Sequence, residues 1–128
     1  MKIVLVTHGK LCEGFMSSLE MLIGKQEDIY AISLNPGDST DILLEKLKVH
    51  TEDVNDNNQL FFMSDIIGGT PFNVCSLLSK DNKNIKVVYG TNLPILLEVV
   101  GKRNDVDIDG LADYIMQLSG ESIGIGKF

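Results

Sequence analysis

The sequence has few cysteines and no long apolar run, and each absence excludes a class of protein. Its 2 cysteines, Cys12 and Cys75, lie far apart among apolar residues. We therefore expect reduced core residues of a cytoplasmic protein, not a disulfide or a metal-binding pair. No apolar stretch reaches the roughly 18 residues of a transmembrane helix. The apolar run at residues 3–6 is also too short for the core of a signal peptide.

Positive charge is scarce as well. The chain has 11 Lys and Arg against 18 Asp and Glu, which gives a net charge of −7. Because contacts to phosphates supply most of the affinity of nucleic-acid binders, we expect no nucleic-acid partner. An acidic chain also has little attraction for an anionic membrane surface. Its partners are therefore expected to be proteins with basic patches.

The common motifs for nucleotides and metals are missing too. The sequence has no G-x-x-x-x-G-K-[ST] motif and no G-x-G-x-x-G after its first predicted strand. No His, Cys and Asp residues cluster at the spacing of a metal site. We therefore expect neither a metal ion nor another cofactor.

The overall composition is that of an ordinary globular protein. It has 128 residues, of which 44% are hydrophobic and 23% charged. This size fits one domain, which we expect to span residues 1–128. We find no repeat, linker or low-complexity stretch that would divide it.

Apolar patterns along the chain alternate between strands and helices. Short β-branched runs predict strands at residues 2–6, 29–34, 60–64 and 85–89. Helical spacing predicts helices from Leu11 to a stop at Gly24, from the DST of residues 38–40 to Val54, from Thr70 to the KDNKN of residues 80–84, from Leu93 to a stop at Gly101, and over residues 109–118. This order predicts an α/β fold, with an open, mainly parallel sheet that has helices on both faces. The tail ESIGIGKF predicts a weak antiparallel edge strand, which can also pair with another subunit.

The predicted sheet brings two polar residues to one crevice. For the common strand order 2-1-3-4, ligands bind at the carboxyl ends of strands 1 and 3, where the order reverses. His8 follows strand 1 and Asp65 follows strand 3, so we expect them to face each other. A carboxylate that accepts from one ring N–H fixes the imidazole tautomer and leaves the other nitrogen free to attack.

The segment GGTPFN, residues 68–73, supplies an anion site beside this pair. Gly68 and Gly69 allow a close backbone approach. With Thr70 as the expected N-cap and Pro71 at the first helical position, a helix N-terminus opens there and attracts anions. No Lys or Arg lies near either loop in the sequence. Such a site suits one small phosphoryl group better than a nucleoside triphosphate.

Each of these residues also has a purely structural interpretation. His8 can serve as a loop or capping residue, and Asp65 can accept from turn amides. The pair Gly68 and Gly69 can form a tight turn, and Thr70 can simply begin a helix. The functional interpretation depends on convergence, because a nucleophile, an orienting group and an anion site all fall in one predicted crevice.

Three blocks of the sequence resemble the mannose-family enzyme IIA proteins of the bacterial phosphoenolpyruvate-dependent sugar phosphotransferase system. They are the first strand with His8 and Gly9, the segment SDIIGGTPFN at residues 64–73, and GTNLPILLE at residues 90–98. The middle block is the most specific, and the resemblance covers nearly the whole chain. The phosphotransfer subunit of dihydroxyacetone kinases has a similar fold and histidine, but a different loop after its third strand.

The resemblance implies a single enzyme IIA domain that relays a phosphoryl group. His8 would accept the group from the phosphocarrier HPr and pass it to a histidine of enzyme IIB. Asp65 would orient His8, and Thr70, in place of a frequent serine, would contact the phosphoryl group beside Gly68 and Gly69. The resemblance also implies a cytoplasmic homodimer that exchanges its C-terminal strands and associates peripherally with a membrane transport complex. IIB would be a separate protein, and the membrane components IIC and IID would take part indirectly.

Two alternatives stay open at this level. The chain can be a regulatory, phosphorylation-sensing module of the same fold, or the phosphotransfer subunit of a dihydroxyacetone kinase. A receiver domain has less support, because it requires acidic residues at the end of strand 1, where this chain has Thr7, His8 and Gly9. The transported sugar cannot be identified from this chain, because in this system the sugar meets the membrane components and not IIA.

Overall fold

A central parallel sheet positions the rest of the molecule. The structure is a computed structural model that describes residues 1–127, and its 4-stranded sheet has the order β2-β1-β3-β4. The predicted strand order is thus confirmed. In chain order the elements are β1 (Lys2–His8), α1 (Leu11–Ile23), β2 (Ile29–Leu34), α2 (Thr40–Thr51), β3 (Leu60–Ser64), α3 (Thr70–Ser79), β4 (Ile85–Val88), α4 (Leu93–Lys102), α5 (Ile108–Leu118) and a final 3₁₀ turn (Ser119–Glu121).

The central strands are continuously apolar because both of their faces are covered. In β1, Val4 and Val6 pack with α2 and α3 on one face of the sheet. Ile3 and Leu5 point the other way and pack with α1, α4 and α5. All these side chains are fully buried, and each contributes about 1.5–3 kcal/mol of hydrophobic stabilisation. The prediction of helices on both faces is therefore confirmed.

The strand register brings the ends of β1 and β3 to the same edge of the sheet. Val6 of β1 pairs with Ser64 of β3. After β1 the chain turns to α1 on one face, whereas after β3 it turns to α3 on the other. The two connecting loops therefore diverge, and a crevice opens between them, as expected at the point where the strand order reverses.

Several boundaries differ from those predicted from the pattern alone. β1 continues past Val6 to His8, because β2 pairs with its last residues. α2 ends at Thr51, and Val54 reaches the core from the following turn. α4 passes through Gly101 to Lys102, since a glycine near a helix end is tolerated. Among the helices of residues 1–127, none is long and apolar enough to cross a membrane.

The predicted C-terminal edge strand is not present in the described part of the chain. After the 3₁₀ turn, residues 122–127 form no strand, and Ile123 and Ile125 are 83% and 93% exposed. An extended segment gains stability only when it joins a sheet, and in the single chain this tail lies against none. Phe128, the last residue of the predicted strand, lies outside the described residues.

Candidate functional site

The imidazole of His8 and the carboxylate of Asp65 lie in direct contact, as their positions at the strand ends predicted. His8 Nδ1 is 2.8 Å from Asp65 Oδ2. The backbone amide of His8 donates to the same oxygen at 3.0 Å, and the amide of Ile66 donates to Oδ1 at 2.9 Å. Because both carboxylate oxygens are held by backbone groups, the carboxylate fixes the orientation of the ring.

The charge state of Asp65 determines which ring nitrogen is free. Burial by itself raises the pKa of this carboxyl group. Hydrogen bonds from the amide and ring of His8 and from the amide of Ile66 outweigh burial and hold the pKa of Asp65 below its ordinary value. An ionised carboxylate only accepts, so in the neutral imidazole Nδ1 carries the proton and Nε2 keeps its lone pair.

The two partners differ in their access to solvent. The side chain of Asp65 is only 8% exposed, whereas that of His8 is 48% exposed. Within residues 1–127, Nε2 of His8 has no hydrogen-bond partner. The arrangement therefore presents a nucleophilic nitrogen at the surface and keeps its supporting carboxylate inside.

The backbone around His8 is fixed on both sides. Before it, the buried hydroxyl of Thr7 accepts from the amide of Cys12 at 2.8 Å, which ties the strand to the first turn of α1. After it, Gly9 adopts a φ of +56°, a conformation that favours glycine, and its amide donates to Leu34 in β2 at 2.9 Å. His8 thus projects from a rigid strand end.

The N-cap of the helix after Asp65 lies one residue earlier than predicted. Gly69, not Thr70, is the N-cap of α3, and Thr70 is already helical, with Pro71 in the first turn. The predicted capping role of Thr70 is therefore wrong. Because N-caps need extended backbone and Gly69 supplies it, the hydroxyl of Thr70 is not used for capping.

The first turn of α3 presents free backbone donors. The amide of Asn73 is occupied by the carbonyl of Gly69 at 2.9 Å. The amides of Thr70 and Phe72 make no hydrogen bond within the part of the chain that the structure describes. Unpaired amides and the helix dipole together favour an anion at this end.

Two supports of the site carried no assigned role in the sequence. The Asn73 side chain donates to the carbonyl of Gly68 at 3.2 Å and braces the loop. The segment after β4 fastens the end of β3: the amide of Gly90 donates to the Asp65 carbonyl at 2.9 Å, and the hydroxyl of Thr91 donates to the Ser64 carbonyl at 2.7 Å. In the sequence, these supports could have been recognised as polar residues that follow an adjacent strand.

Together these groups are suited to phosphoryl transfer. His8 supplies a nucleophile, Asp65 fixes its tautomer, and the first turn of α3 supplies neutral donors for anionic oxygens. In residues 1–127, no group of three or more His, Cys, Asp or Glu side chains is placed to hold a metal ion.

The chain is similar to known proteins over most of its length. Residues 2–116 match the EIIA-man family model, described as "PTS system fructose IIA component". The chain is 34% identical over 103 residues, 80% of its length, to the PTS system mannose-specific EIIAB component of Escherichia coli (strain K12). It covers 32% of that protein, so it spans about a third of this relative.

Two further matches extend over almost the whole chain. The chain is 26% identical over 123 residues to the PTS system fructose-specific EIIA component of Bacillus subtilis (strain 168), covering 96% of this chain and 84% of that protein. The crystal structure of phosphotransferase system component EIIA from Streptococcus agalactiae superposes with a TM-score of 0.90 at 35% identity, covering 97% of this chain and 95% of that one.

Proposed function

Since the chain belongs to the EIIA-man family of phosphotransferase-system components, we propose that it is a phosphohistidine relay enzyme of sugar uptake. His8 takes up a phosphoryl group on Nε2 and passes it on to a partner protein. The observation that carries this proposal is the 2.8 Å contact between His8 Nδ1 and the ionised Asp65. This contact keeps the proton on Nδ1 and leaves the exposed Nε2 as the nucleophile.

The transfer step needs little beyond correct positioning. The lone pair of His8 Nε2 attacks the phosphorus of the donor while the bond from phosphorus to the donor breaks, and its electron pair returns to the donor. The imidazole becomes positively charged, and Asp65 stabilises that charge through the Nδ1–H hydrogen bond. In the second transfer a histidine of the acceptor attacks the same phosphorus, and the lone pair returns to Nε2.

The first turn of α3 holds the transferred group. We assign its oxygens to the hydroxyl and amide of Thr70 and to the amide of Phe72, with Gly68 and Gly69 allowing the group to approach the loop. Neutral donors suit a group that must leave again, because they stabilise it without the strong ion pair that a Lys or Arg would form.

We assign the donor to HPr and the acceptor to enzyme IIB, with IIC and IID reached only through IIB. The net charge of −7 supports this, since an acidic surface attracts and orients partners that carry basic patches. The relatives are named for different sugars, mannose and fructose. This agrees with a relay protein whose residues do not select the sugar.

We also propose a homodimer in which each tail joins the partner's sheet. β4 is an edge strand of the sheet in residues 1–127. Beside it lies a groove of about 340 Å³, whose lining includes Val87, Tyr89 and Met116. In an extended tail Ile123 and Ile125 point to the same side, and both are exposed in the single chain. An antiparallel tail at β4 would pair the free edge and cover this groove.

Phosphate uptake tests the relay directly. The protein is incubated with phosphorylated HPr carrying a radioactive label, and we expect acid-labile label on the chain. His8→Ala should take up none. His50→Ala is the matched control, since His50 is the other of the 2 histidines, and it should be labelled as the unmodified protein is. Label on His8→Ala, or its loss in His50→Ala alone, would refute the assignment to His8.

Transfer onward tests the second half of the proposal. Labelled protein is mixed with the IIB of the same transport system, and the label should move to IIB. Label that stays on His8 with every available IIB would favour the regulatory alternative, in which phosphorylation is sensed and not passed on.

A further inference from the structure

We infer that Gly69 is a positioning residue for the nucleophile: its missing side chain leaves the space in which the His8 imidazole is held. This inference rests on the proposed phosphorylation of His8. It assigns Gly69 a role different from a backbone contact to the phosphoryl group, and it explains why Gly68 and Gly69 are both glycine.

The ring of His8 lies against the α-carbon of Gly69. A Cβ added at this position would lie 2.8 Å from His8 Cε1 and 3.4 Å from Nε2. Two non-bonded carbons are most stable about 3.5–4.0 Å apart, so the ring and a side chain at position 69 cannot both occupy their present places. The clash falls on the carbon next to the attacking nitrogen.

The backbone of Gly69 does not itself require glycine. Its φ of −73° and ψ of 163° are an extended conformation that any residue adopts. Gly68 is the opposite case, because it has a φ of +80° and a Cβ there would meet no atom within 4 Å. Gly68 is thus needed for the turn, whereas Gly69 is needed for the space beside His8.

The ring cannot move aside and keep its other contact. Nδ1 is 2.8 Å from Asp65 Oδ2, and that carboxylate is held in turn by the amides of His8 and Ile66. The imidazole therefore fits between Asp65 and Gly69. A side chain at position 69 would swing the half-exposed ring outwards, which would lengthen the Asp65 contact and move Nε2 away from the first turn of α3.

The fold should tolerate this displacement. The clashing atoms belong to the end of an exposed side chain and not to the backbone, apart from an ordinary contact with the Ile66 carbonyl at 3.5 Å. The loss should therefore appear in the chemistry and not in folding. A displacement of about 1 Å at a reacting atom can slow a reaction about a hundredfold.

The test compares Gly69→Ala and Gly69→Ser with Gly101→Ala. Gly101 lies in α4, and a Cβ there meets nothing within 4 Å. We expect both Gly69 variants to accept phosphate from phosphorylated HPr about 10 to 100 times more slowly, and Gly101→Ala to match the unmodified protein. Gly69→Ser also adds a capping hydroxyl, so it should unfold at the same or a higher urea concentration while it loses activity.

Nitrogen-15 NMR of the unphosphorylated His8 ring separates a displaced ring from a damaged fold. In the unmodified protein and in Gly101→Ala, we expect the tautomer with the proton on Nδ1. In the Gly69 variants, we expect a mixture of tautomers. Unchanged transfer rates in both variants, or slow transfer with an unchanged tautomer, would overturn the inference. If the unmodified protein took up no phosphate, the proposed function would fail instead, and the NMR result would still report on the ring.

Discussion

A single oxygen of Asp65 accepts from both the ring and the backbone amide of His8. The distance from Asp65 Oδ2 to His8 Nδ1 is 2.8 Å, and the distance to the His8 amide nitrogen is 3.0 Å. The carboxylate therefore ties the imidazole to the end of its own strand. The ring cannot rotate away from Asp65 without losing a charge-assisted hydrogen bond.

Asp65→Asn should slow phosphorylation of His8 by about tenfold or more and leave the fold intact. An amide can accept from Nδ1–H, but it does not stabilise the positive ring. A hydrogen bond to a charged group contributes about 1.5–3 kcal/mol against about 1 kcal/mol for a neutral one, and a difference of about 1.4 kcal/mol is tenfold in rate. Stopped-time labelling with phosphorylated HPr measures the effect. Asp113→Asn, at an exposed position of α5, is the control and should transfer normally.

The pH dependence of stability should also report on Asp65. Its pKa in the folded protein lies below the ordinary value of 3.8, so the folded state binds this proton less readily than the unfolded chain. The stabilising contribution of Asp65 is complete above about pH 4 and is lost as the pH falls through the lowered pKa. Urea unfolding between pH 2 and 6 tests this. The difference in unfolding free energy between the unmodified protein and Asp65→Asn should shrink on acidification. A difference that stays constant would contradict the lowered pKa of Asp65.

Thr70→Ala should weaken transfer but not stability. Because the Thr70 hydroxyl does not cap α3, its removal costs the helix no capping bond. Losing one hydrogen bond of about 0.5–1.5 kcal/mol to the phosphoryl group should slow transfer about twofold to tenfold. Thr70→Ser keeps the hydroxyl and should restore the rate. A clear fall in the urea midpoint of Thr70→Ala would instead assign the hydroxyl a structural role.

Ile125→Asp should weaken the proposed dimer. In the single chain this side chain is 93% exposed, so the substitution does not affect the monomer core. In an exchanged strand it would place a charge against the apolar groove beside β4, which is unfavourable. Sedimentation velocity should show monomer at concentrations where the unmodified protein is a dimer. Val49→Asp, on the exposed side of α2, is the matched control and should stay dimeric. Equal sedimentation of all three proteins would rule out a contribution from the tail.

The central strands and the facing pair could be predicted because they depend on local patterns and on a general rule of topology. The uninterrupted apolar run of β1 marks a strand covered on both faces. A right-handed path between parallel strands then limits the possible strand orders to a few. Once the order 2-1-3-4 is adopted, His8 and Asp65 come to the same crevice without further information.

The errors fall where a contact from elsewhere in the chain decides the structure. Thr70 is an ordinary candidate for an N-cap, but the loop places Gly69 there. β1 runs on to His8 because β2 provides partners for its last residues. The tail alternates like a strand, yet within the described residues of one chain it joins no sheet. None of these effects can be predicted from local propensity, because each depends on which residues lie beside the segment in the folded chain.

By itself, the sequence determined the alternation of strands and helices, the two-sided core and the polar residues at the strand ends. These depend on periodicity and on the favourable free energy of burying apolar side chains. Only the tertiary structure decided the tautomer of His8, through the backbone amides that hold Asp65 ionised. It also decided that Gly68 is needed for the turn and Gly69 for the space beside His8. A Cβ at residue 69 would lie 2.8 Å from the His8 ring, and this proximity arises only after β1 and α3 have packed together.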